Sequence, residues 1–210
     1  MATTTRAPRR DATENREALL RAAKTVLNRE PDASLDAIAA EAGLTRRAVY
    51  GHFASRDELL GELVALGTRR VADAVGAVDD ADPMVRIALI GAVLWHEVEH
   101  VRVMADVVVR GPLRDRVAHA LTPLRRRLAD AVRAAQDSGA ARDDIPAETL
   151  ARLIEHSAVA VLRESARTDL AGAEGHRLVL LSALGLLGLD AASAVRFVAE
   201  RPELAYRDRA

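Results

Sequence analysis

The stretch Ser34–Arg56, SLDAIAAEAGLTRRAVYGHFASR, constrains the fold more than any other part of the chain. Apolar residues recur at spacings of three and four before Gly43, which predicts a short amphipathic helix. Gly43 suits the left-handed turn that ends such a helix, and Thr45 is a strong N-cap for another. The stretch therefore predicts two short helices joined by a tight turn.

The second helix is predicted over Arg46–His52, with Val49 and Phe53 directed toward the core. Its other positions face outward, where an arginine fork can pair with O6 and N7 of guanine. Tyrosine, histidine and arginine side chains offer donors to phosphate oxygens, and small residues let a backbone approach DNA. We predict a helix-turn-helix that contacts DNA through Thr45, Arg46, Arg47, Ala48, Tyr50, Gly51, His52 and Arg56.

The segment IAAEAGLTRRAVYGHFASRDELL resembles the DNA-binding signature of TetR/AcrR-type bacterial transcriptional regulators. The resemblance covers about the first quarter of the chain. It is carried by Ile38-Ala39, Ala42-Gly43-Leu44, Tyr50 with His52-Phe53, and Arg56 followed by Leu59-Leu60.

Two departures from that signature bear on DNA recognition. Many members of the family have lysine at the position of Arg56. Consecutive arginines such as Arg46 and Arg47 are not a family-wide feature, so base contacts made there belong to this protein in particular. The resemblance also implies a homodimer that assembles through late helices of a second domain.

The composition favours helices and excludes several classes of protein. Half of the 210 residues are hydrophobic but only 2% are aromatic, so the core is built from Leu, Val and Ala. There is no cysteine, which excludes disulfides and thiol catalysis. No run of about 18 apolar residues lacks charge, and the first ten residues have no apolar signal region. We therefore predict a cytoplasmic protein with no membrane segment.

Charge is unevenly distributed along the chain. Residues 1–56 hold ten Lys or Arg and seven Asp or Glu, a balance of +3. The remaining residues hold 20 and 24, a balance of −4, and the two give the net charge of −1. A basic front on an acidic body suits a DNA-binding protein with a separate second task.

Periodicity predicts an all-α chain with two domains. Residues 1–12 are predicted to be a disordered basic arm, 13–56 a three-helix DNA-binding domain that begins with a helix at Thr13, and 57–201 a helical ligand-binding and dimerisation domain. Within the second domain, one helix is predicted from Pro83 to Val109. Residues 202–210 are predicted to be a frayed tail.

Two late helices are apolar over unusually broad faces. One carries Leu153, Ile154 and Val161, and the other spans Leu178–Leu189 with Gly185 among its residues. We predict that they form a homodimer interface, as a four-helix bundle made by two subunits. The alternative is that these helices are buried within one subunit.

The run Trp95-His96-Glu97-Val98-Glu99-His100 contains an H-E-x-x-H pattern. Two histidines four residues apart share a helix face, as in zinc hydrolases in which the glutamate is the general base. No third ligand follows at a recognisable spacing, and no strand pattern provides an edge for substrate. We therefore predict no metal, no cofactor and no enzymatic activity. Two interpretations of His96 and His100 stay open. They are ordinary polar positions on an exposed or interface side, or they bind a ligand's polar group or a metal, with Trp95, His96, His100 and Met104 as the candidate ligand-binding residues.

These observations together predict a ligand-responsive transcriptional regulator. It is predicted to repress by binding a palindromic operator in double-stranded DNA as a dimer, and to respond to a small-molecule effector of unknown identity. Two alternatives stay open at this point: a zinc-dependent hydrolase that uses the H-E-x-x-H pattern, and a helical dimerisation module without DNA binding.

Overall fold

The computed structural model describes residues 8–101, 103–105, 108, 111, 113–170 and 172–208, with side chains from Ala12 onward. These residues form α-helices and two 3-10 turns, at Glu99–Val101 and Pro202–Leu204, and contain no strand. The all-α prediction is confirmed. The α-helices are α1 Pro8–Arg29, α2 Leu35–Glu41, α3 Arg46–His52, α4 Arg56–Gly76, α5 Pro83–Val98, α6 Arg114–Ala120, α7 Thr122–Asp137, α8 Ala147–Thr168, α9 Gly172–Leu186 and α10 Ala191–Ala199.

The chain divides into two compact units, Met1–Leu66 and Gly67–Ala210. The division falls inside α4, whereas the sequence placed a domain boundary after residue 56. Helix α1 begins at Pro8, so residues 8–12 are helical although they were predicted to be disordered. The rest of the predicted basic arm, residues 1–7, lies outside the described part of the chain.

The first unit is built around buried side chains of α1, α2 and α3. Leu19, Ile38, Val49 and Phe53 are essentially inaccessible to solvent. The guanidinium of Arg16 lies over the Phe53 ring, 4.8 Å from its centroid, and pairs with Glu62 of α4. Helices α1 and α4 thereby hold the end of α3 between them.

The second unit is centred on α5. Asp82 caps this helix by accepting from the backbone N–H groups of Met84 and Val85, and Pro83 occupies its first position, as predicted. Helices α7 and α9 pack against α5, and α8 packs against both of them. The core is mainly aliphatic, with Trp95 as its largest buried side chain.

Helix α5 ends at Val98 and a 3-10 turn follows at Glu99–Val101, so the predicted continuous helix to Val109 is wrong. The Glu99 carboxylate accepts hydrogen bonds from the Trp95 indole and the Tyr206 hydroxyl at this point. The contact with Tyr206, in a distant part of the chain, cannot be read from local periodicity.

The C-terminal segment is also more ordered than the predicted frayed tail. Pro202–Leu204 forms a 3-10 turn, and the side chain of Leu204 is fully buried. The turn packs against α5 and α10 and places Tyr206 beside the end of α5. Apolar Leu204 therefore anchors the described tail to the second unit.

Among the described residues, no helix has both the length and the apolar character needed to cross a membrane.

Candidate DNA-binding surface and ligand site

Helix α3 is held at both of its ends by local interactions. The Thr45 hydroxyl accepts from the backbone N–H of Ala48 at 3.2 Å, as the N-cap prediction requires. Before it, Gly43 has φ of +67°, the left-handed conformation expected of the turn. Val49 and Phe53 are fully buried. The orientation of α3 is thus fixed by its caps and by two core side chains.

The outer face of α3 carries the predicted DNA-contacting residues. Arg46, Arg47, Tyr50 and Gly51 are exposed, while Ala48 and His52 are half-buried. A side chain at Gly51 would meet no atom within 4 Å, so packing within the described chain does not require this glycine. The outer face of the helix therefore carries the guanidinium groups of Arg46 and Arg47, the phenol of Tyr50 and, at Gly51, backbone that no side chain covers.

The two arginines differ in their surroundings. Arg46 pairs with Asp36 of α2 at 2.9 Å and lies over the Tyr50 ring, 5.5 Å from its centroid. Arg47 makes no hydrogen bond or ion pair with any described residue. Asp36 itself has a buried Oδ1 without a described partner. Arg46 is therefore pre-oriented by its neighbours, whereas Arg47 is available for a partner outside the domain.

Arg56 was predicted to contact phosphate, but the structure gives it partners within the domain. Its Nε donates to the carbonyl oxygen of Ala33 at 3.0 Å, and its Nη2 donates to that of Pro31. It therefore ties the start of α4 to the turn between α1 and α2. A phosphate contact by Arg56 stays a prediction, and that contact would use a guanidinium already engaged in two bonds.

The four candidate ligand residues do not share one surface. Trp95 is only 2% exposed, and its indole N–H donates to Gly172 O at 2.8 Å and Glu99 at 3.0 Å. Met104 is half-buried in the short helical stretch after Val101. His96 and His100 line a cleft of about 380 Å³, together with Arg70, Glu97, Glu99, Tyr206 and Asp208.

The H-E-x-x-H pattern does not have the geometry of a zinc hydrolase. His96 lies in α5 but His100 lies in the 3-10 turn, so the i, i+4 register of one helix is broken between them. Glu97 is paired with Arg70, and His96 Nδ1 lies 3.1 Å from Glu99. No group of three or more possible metal ligands occurs within the described ranges. These residues do not fit a catalytic zinc.

Two residues that the sequence did not single out complete a cluster around Glu99. Tyr206 donates its hydroxyl to Glu99 Oε2 at 3.0 Å, and its ring stacks on His96 at a centroid distance of 5.2 Å and an angle of 20°. The ring of His176 lies 5.5 Å from both of these rings. Tyr206 was not considered because it lies in the segment that was predicted to be a frayed tail. His176 was not singled out because a lone histidine on an apolar helix forms no motif.

Burial dominates the electrostatics of this cluster. His176 is 3% exposed, and its Nε2 has no hydrogen-bond partner among the described residues. Burial, with a smaller contribution from the neighbouring His96 and against the opposing effect of Glu99, lowers the pKa of His176 to about 4. Burial and the bond to Glu99 raise the pKa of Tyr206. At neutral pH the cluster therefore has a neutral imidazole and a protonated phenol.

Glycines at the start of α9 bring this helix directly onto the cluster. A Cβ added at Gly175 would overlap the Trp95 ring, and one added at Gly172 would overlap the Tyr206 hydroxyl. Neither position has room for a side chain. The first turn of α9 is thus packed against Trp95 and Tyr206.

The interior of the second unit contains a second, much smaller space. A cavity of about 20 Å³, room for roughly one water molecule, lies among apolar side chains of α5, α7, α8 and α9. Glu155 lines it and is held by two bonds from Arg125, at 2.6 and 2.7 Å. This cavity is too small for an organic ligand in the present conformation.

Comparison with known proteins supports the helix-turn-helix assignment. Residues 18–63 match the family model described as bacterial regulatory proteins, tetR family. A comparison with curated proteins gives no significant sequence match.

Solved structures with the same fold span most of the chain. SmeT, the repressor of the Stenotrophomonas maltophilia multidrug efflux pump SmeDEF, is 22% identical with a TM-score of 0.62, over 81% of this chain and 88% of SmeT. The fatty acid degradation regulator FadR of Bacillus halodurans is 14% identical with a TM-score of 0.70, over 88% and 97%. LfrR of Mycobacterium smegmatis, solved with proflavine, is 19% identical with a TM-score of 0.62, over 86% and 97%.

The chain has an N-terminal helix-turn-helix unit followed by a larger helical unit, and the solved structures that share this fold are described as repressors or regulators. This chain carries the DNA-binding domain of the tetR family and has the fold of TetR-family regulators. The resemblance predicted from the sequence is confirmed. The family consists of DNA-binding transcriptional regulators, not enzymes, which argues against the zinc hydrolase alternative.

Proposed function

We propose that this protein is a homodimeric transcriptional repressor that binds a palindromic operator and releases it when a small molecule binds the second unit. The observation that carries the proposal is the orientation of α3. Val49 and Phe53 are fully buried, so Arg47 and its neighbours are directed outward from a helix that cannot rotate freely.

The N-terminal half of α3 supplies the chemistry for reading bases. Recognition helices of this kind present their N-terminal residues to base edges in the major groove. The guanidinium of Arg47 has no described partner and can form the bidentate pair with guanine. Tyr50 in α3 and Thr45 at its N-cap are exposed and can donate to phosphate oxygens.

The outer surfaces of α8 and α9 support a dimer. Leu153 of α8 is 40% exposed, and Leu178 and Leu181 of α9 are half-buried. Gly185 is exposed, and a Cβ added there would meet no atom within 4 Å, so its small size leaves space for close approach of another helix. A second subunit gives two recognition helices, which favours an operator with two-fold symmetry.

The inner sides of the same two helices are already covered within the chain. Leu162 of α8 and Val179, Leu180, Ala183 and Leu184 of α9 are buried. Part of the apolar character that suggested an interface therefore belongs to the core, and the proposed interface is limited to the outer strip.

Ligand control is supported by the second unit and by its neighbours. LfrR was solved with proflavine, and FadR of Bacillus subtilis was solved with stearoyl-CoA. Helix α4 is continuous from Arg56 to Gly76 and contributes residues to both units of this chain. We infer that a ligand acts by displacing α4, which changes the separation of the two recognition helices in the dimer.

Selection from random duplex DNA at fixed salt, followed by sequencing, tests the proposal. We expect an enriched palindrome with guanine in each half-site. Arg47→Ala should then weaken specific binding by about 1–3 kcal/mol per contacted guanine and relax the preference at that position. Arg167→Ala, on the exposed end of α8, removes the same charge and should leave binding unchanged.

Three results would count against the proposal. If the folded protein enriches no sequence, the helical dimerisation module becomes the better description. If the enriched site lacks two-fold symmetry, the proposal that a dimer binds a palindromic operator is wrong. Equal affinities of the wild type and Arg47→Ala would remove Arg47 from the base contacts.

A further inference from the structure

The end of α5 holds a polar, aromatic cluster whose chemistry is specific enough to name a ligand class. We propose that the cluster of His96, Glu99, His176 and Tyr206 is an effector site for a neutral, planar aromatic molecule with a hydroxyl group, and that Tyr206 occupies this site in the free protein. The inference rests on the proposed function only in calling the ligand an effector.

Tyr206 shows what the site accepts. Its ring stacks on His96 with centroids 5.2 Å apart, and its hydroxyl donates to Glu99 Oε2 at 3.0 Å. It reaches this position from a short C-terminal segment that is anchored by buried Leu204. A free phenol presents the same ring and the same donor, and it can replace Tyr206 if residues after Leu204 move away.

Glu99 determines which functional group the ligand must carry. Its carboxylate accepts from the Trp95 indole at 3.0 Å and from Tyr206, and it lies 3.1 Å from His96 Nδ1. Both Trp95 and Tyr206 donate to this carboxyl group. A ligand that takes the place of Tyr206 must therefore donate as well, and a carboxylate or phosphate anion without a proton has no donor to offer.

His176 provides a second polar atom, which no described residue satisfies. Its Nε2 is buried without a described partner, although the ring is 5.5 Å from the Tyr206 ring. Buried polar atoms in folded proteins are nearly always paired with protein or water. The Tyr206 hydroxyl bonds Glu99 but leaves this nitrogen unpaired. A hydroxyl can both donate and accept, so a free ligand, which is not tethered to the chain, can shift its hydroxyl to a position between the two groups.

A cleft beside the cluster gives a ligand access, and the start of α9 connects the cluster to the proposed dimer interface. The adjoining cleft of about 380 Å³ lies in the size range of small-molecule sites, and Tyr206 forms part of its wall. Gly172, the first residue of α9, has no room for a side chain beside Tyr206 and Glu99. Displacement of Tyr206 thus acts directly on the start of the helix proposed to form the dimer interface.

Titration with p-cresol, the side-chain analogue of tyrosine, tests the site without DNA. Binding is measured by calorimetry and by the emission of Trp95, which is the single tryptophan of the sequence. We expect saturable binding to the wild type. Tyr206→Ala should bind cresol about tenfold or more tightly, because the internal competitor is removed. Arg207→Ala, the next residue of the same segment, should bind as the wild type does.

Ligand controls separate the proposed chemistry from simple apolar binding. Toluene lacks the donor and 4-methylbenzoate carries a negative charge, so both should bind at least about tenfold more weakly than cresol. Absence of cresol binding to both the wild type and a folded Tyr206→Ala variant would overturn the proposal. Equal binding of toluene or 4-methylbenzoate would do the same, and these ligand comparisons need no variant that must fold.

Failure of this site and failure of the proposed function give different results. If no DNA sequence is enriched but cresol binds as described, the ligand site stands and the regulator proposal falls. If an operator is enriched but cresol does not bind, the regulator proposal stands and this effector class is wrong.

Discussion

Arg46 and Arg47 are adjacent and chemically identical, yet their environments differ. Arg46 is held by Asp36 and lies over Tyr50, whereas Arg47 has no described partner. Asp36→Asn should release Arg46 toward phosphate and remove a negative charge from the same surface. We expect the plot of log affinity against log salt to steepen by about one unit for each recognition helix, measured on non-specific duplex DNA.

Glu17→Gln is the matched control for this change. It releases Arg21, which is 3.7 Å from Glu17 on the exposed surface of α1, by the same loss of one carboxylate. Its salt dependence should equal that of the wild type. If both variants steepen the slope alike, the effect comes from net charge, and Arg46 is not the responsible residue.

His176 makes the stability of the protein depend on pH. Its pKa falls from 6.5 to about 4 on folding, so the unfolded chain binds a proton more readily than the folded one. Above about pH 6.5, His176 does not reduce the free energy of unfolding. As the pH falls from there toward about 4, the unfolded chain takes up the proton first and the free energy of unfolding decreases. Between about pH 7 and pH 5 the free energy of unfolding should fall by about 2 kcal/mol from this residue.

Urea unfolding of the wild type and of His176→Phe at both pH values measures the effect. The variant lacks the titrating group and should lose about 2 kcal/mol less on acidification. If the two proteins have the same pH dependence, His176 titrates normally and its burial in solution differs from that in the structure.

At the level of elements, the turn between α2 and α3 depends on one backbone conformation. Gly43 has φ of +67°, which an alanine adopts only with strain. Gly43→Ala should therefore lower the free energy of unfolding by about 1–2 kcal/mol. Gly67→Ala lies inside α4, where an added Cβ meets nothing within 4 Å, and should raise it by about 1 kcal/mol.

Thermal and urea unfolding of both variants would show whether the change in the free energy of unfolding has opposite signs at Gly43 and Gly67. Since both substitutions add the same methyl group, a shared sign would contradict the conformational explanation for Gly43.

The elements that sequence predicted well are those determined by near neighbours. The bounds of α3 agree with the prediction because Thr45 caps it and Gly43 precedes it within a few residues. Local periodicity did not indicate the end of α5, where Glu99 accepts from Tyr206, 107 positions away in the chain. Tyr206 and His176 were missed for the same reason, since neither belongs to a local pattern.

At the scale of the whole molecule, the proposed dimer gives a direct prediction. Leu153→Glu places a charge on the outer strip of α8, where 40% of the leucine is exposed. Burying an unpaired charge in an interface costs several kcal/mol, about enough to separate the subunits. Sedimentation analysis should show a dimeric wild type and a monomeric variant.

Val195→Glu is the control, because this residue of α10 is 43% exposed and lies outside the proposed interface. It should sediment as the wild type does. A monomeric wild type, or a dimer that tolerates Leu153→Glu but not Val195→Glu, would move or remove the interface. The sequence alone could not separate the outer strip from the core, because both carry aliphatic side chains at helical spacing.

The residues that hold α3 in place differ from the residue proposed to read bases, and this separation has an evolutionary consequence. Thr45, Val49 and Phe53 hold the helix in place, while Arg47 contributes nothing to the described packing. A mutation at Arg47 can therefore change the preferred DNA sequence with little effect on folding. Descendants of one ancestral gene can acquire new targets by single substitutions at this position, and an engineer can redirect the same scaffold in the same way.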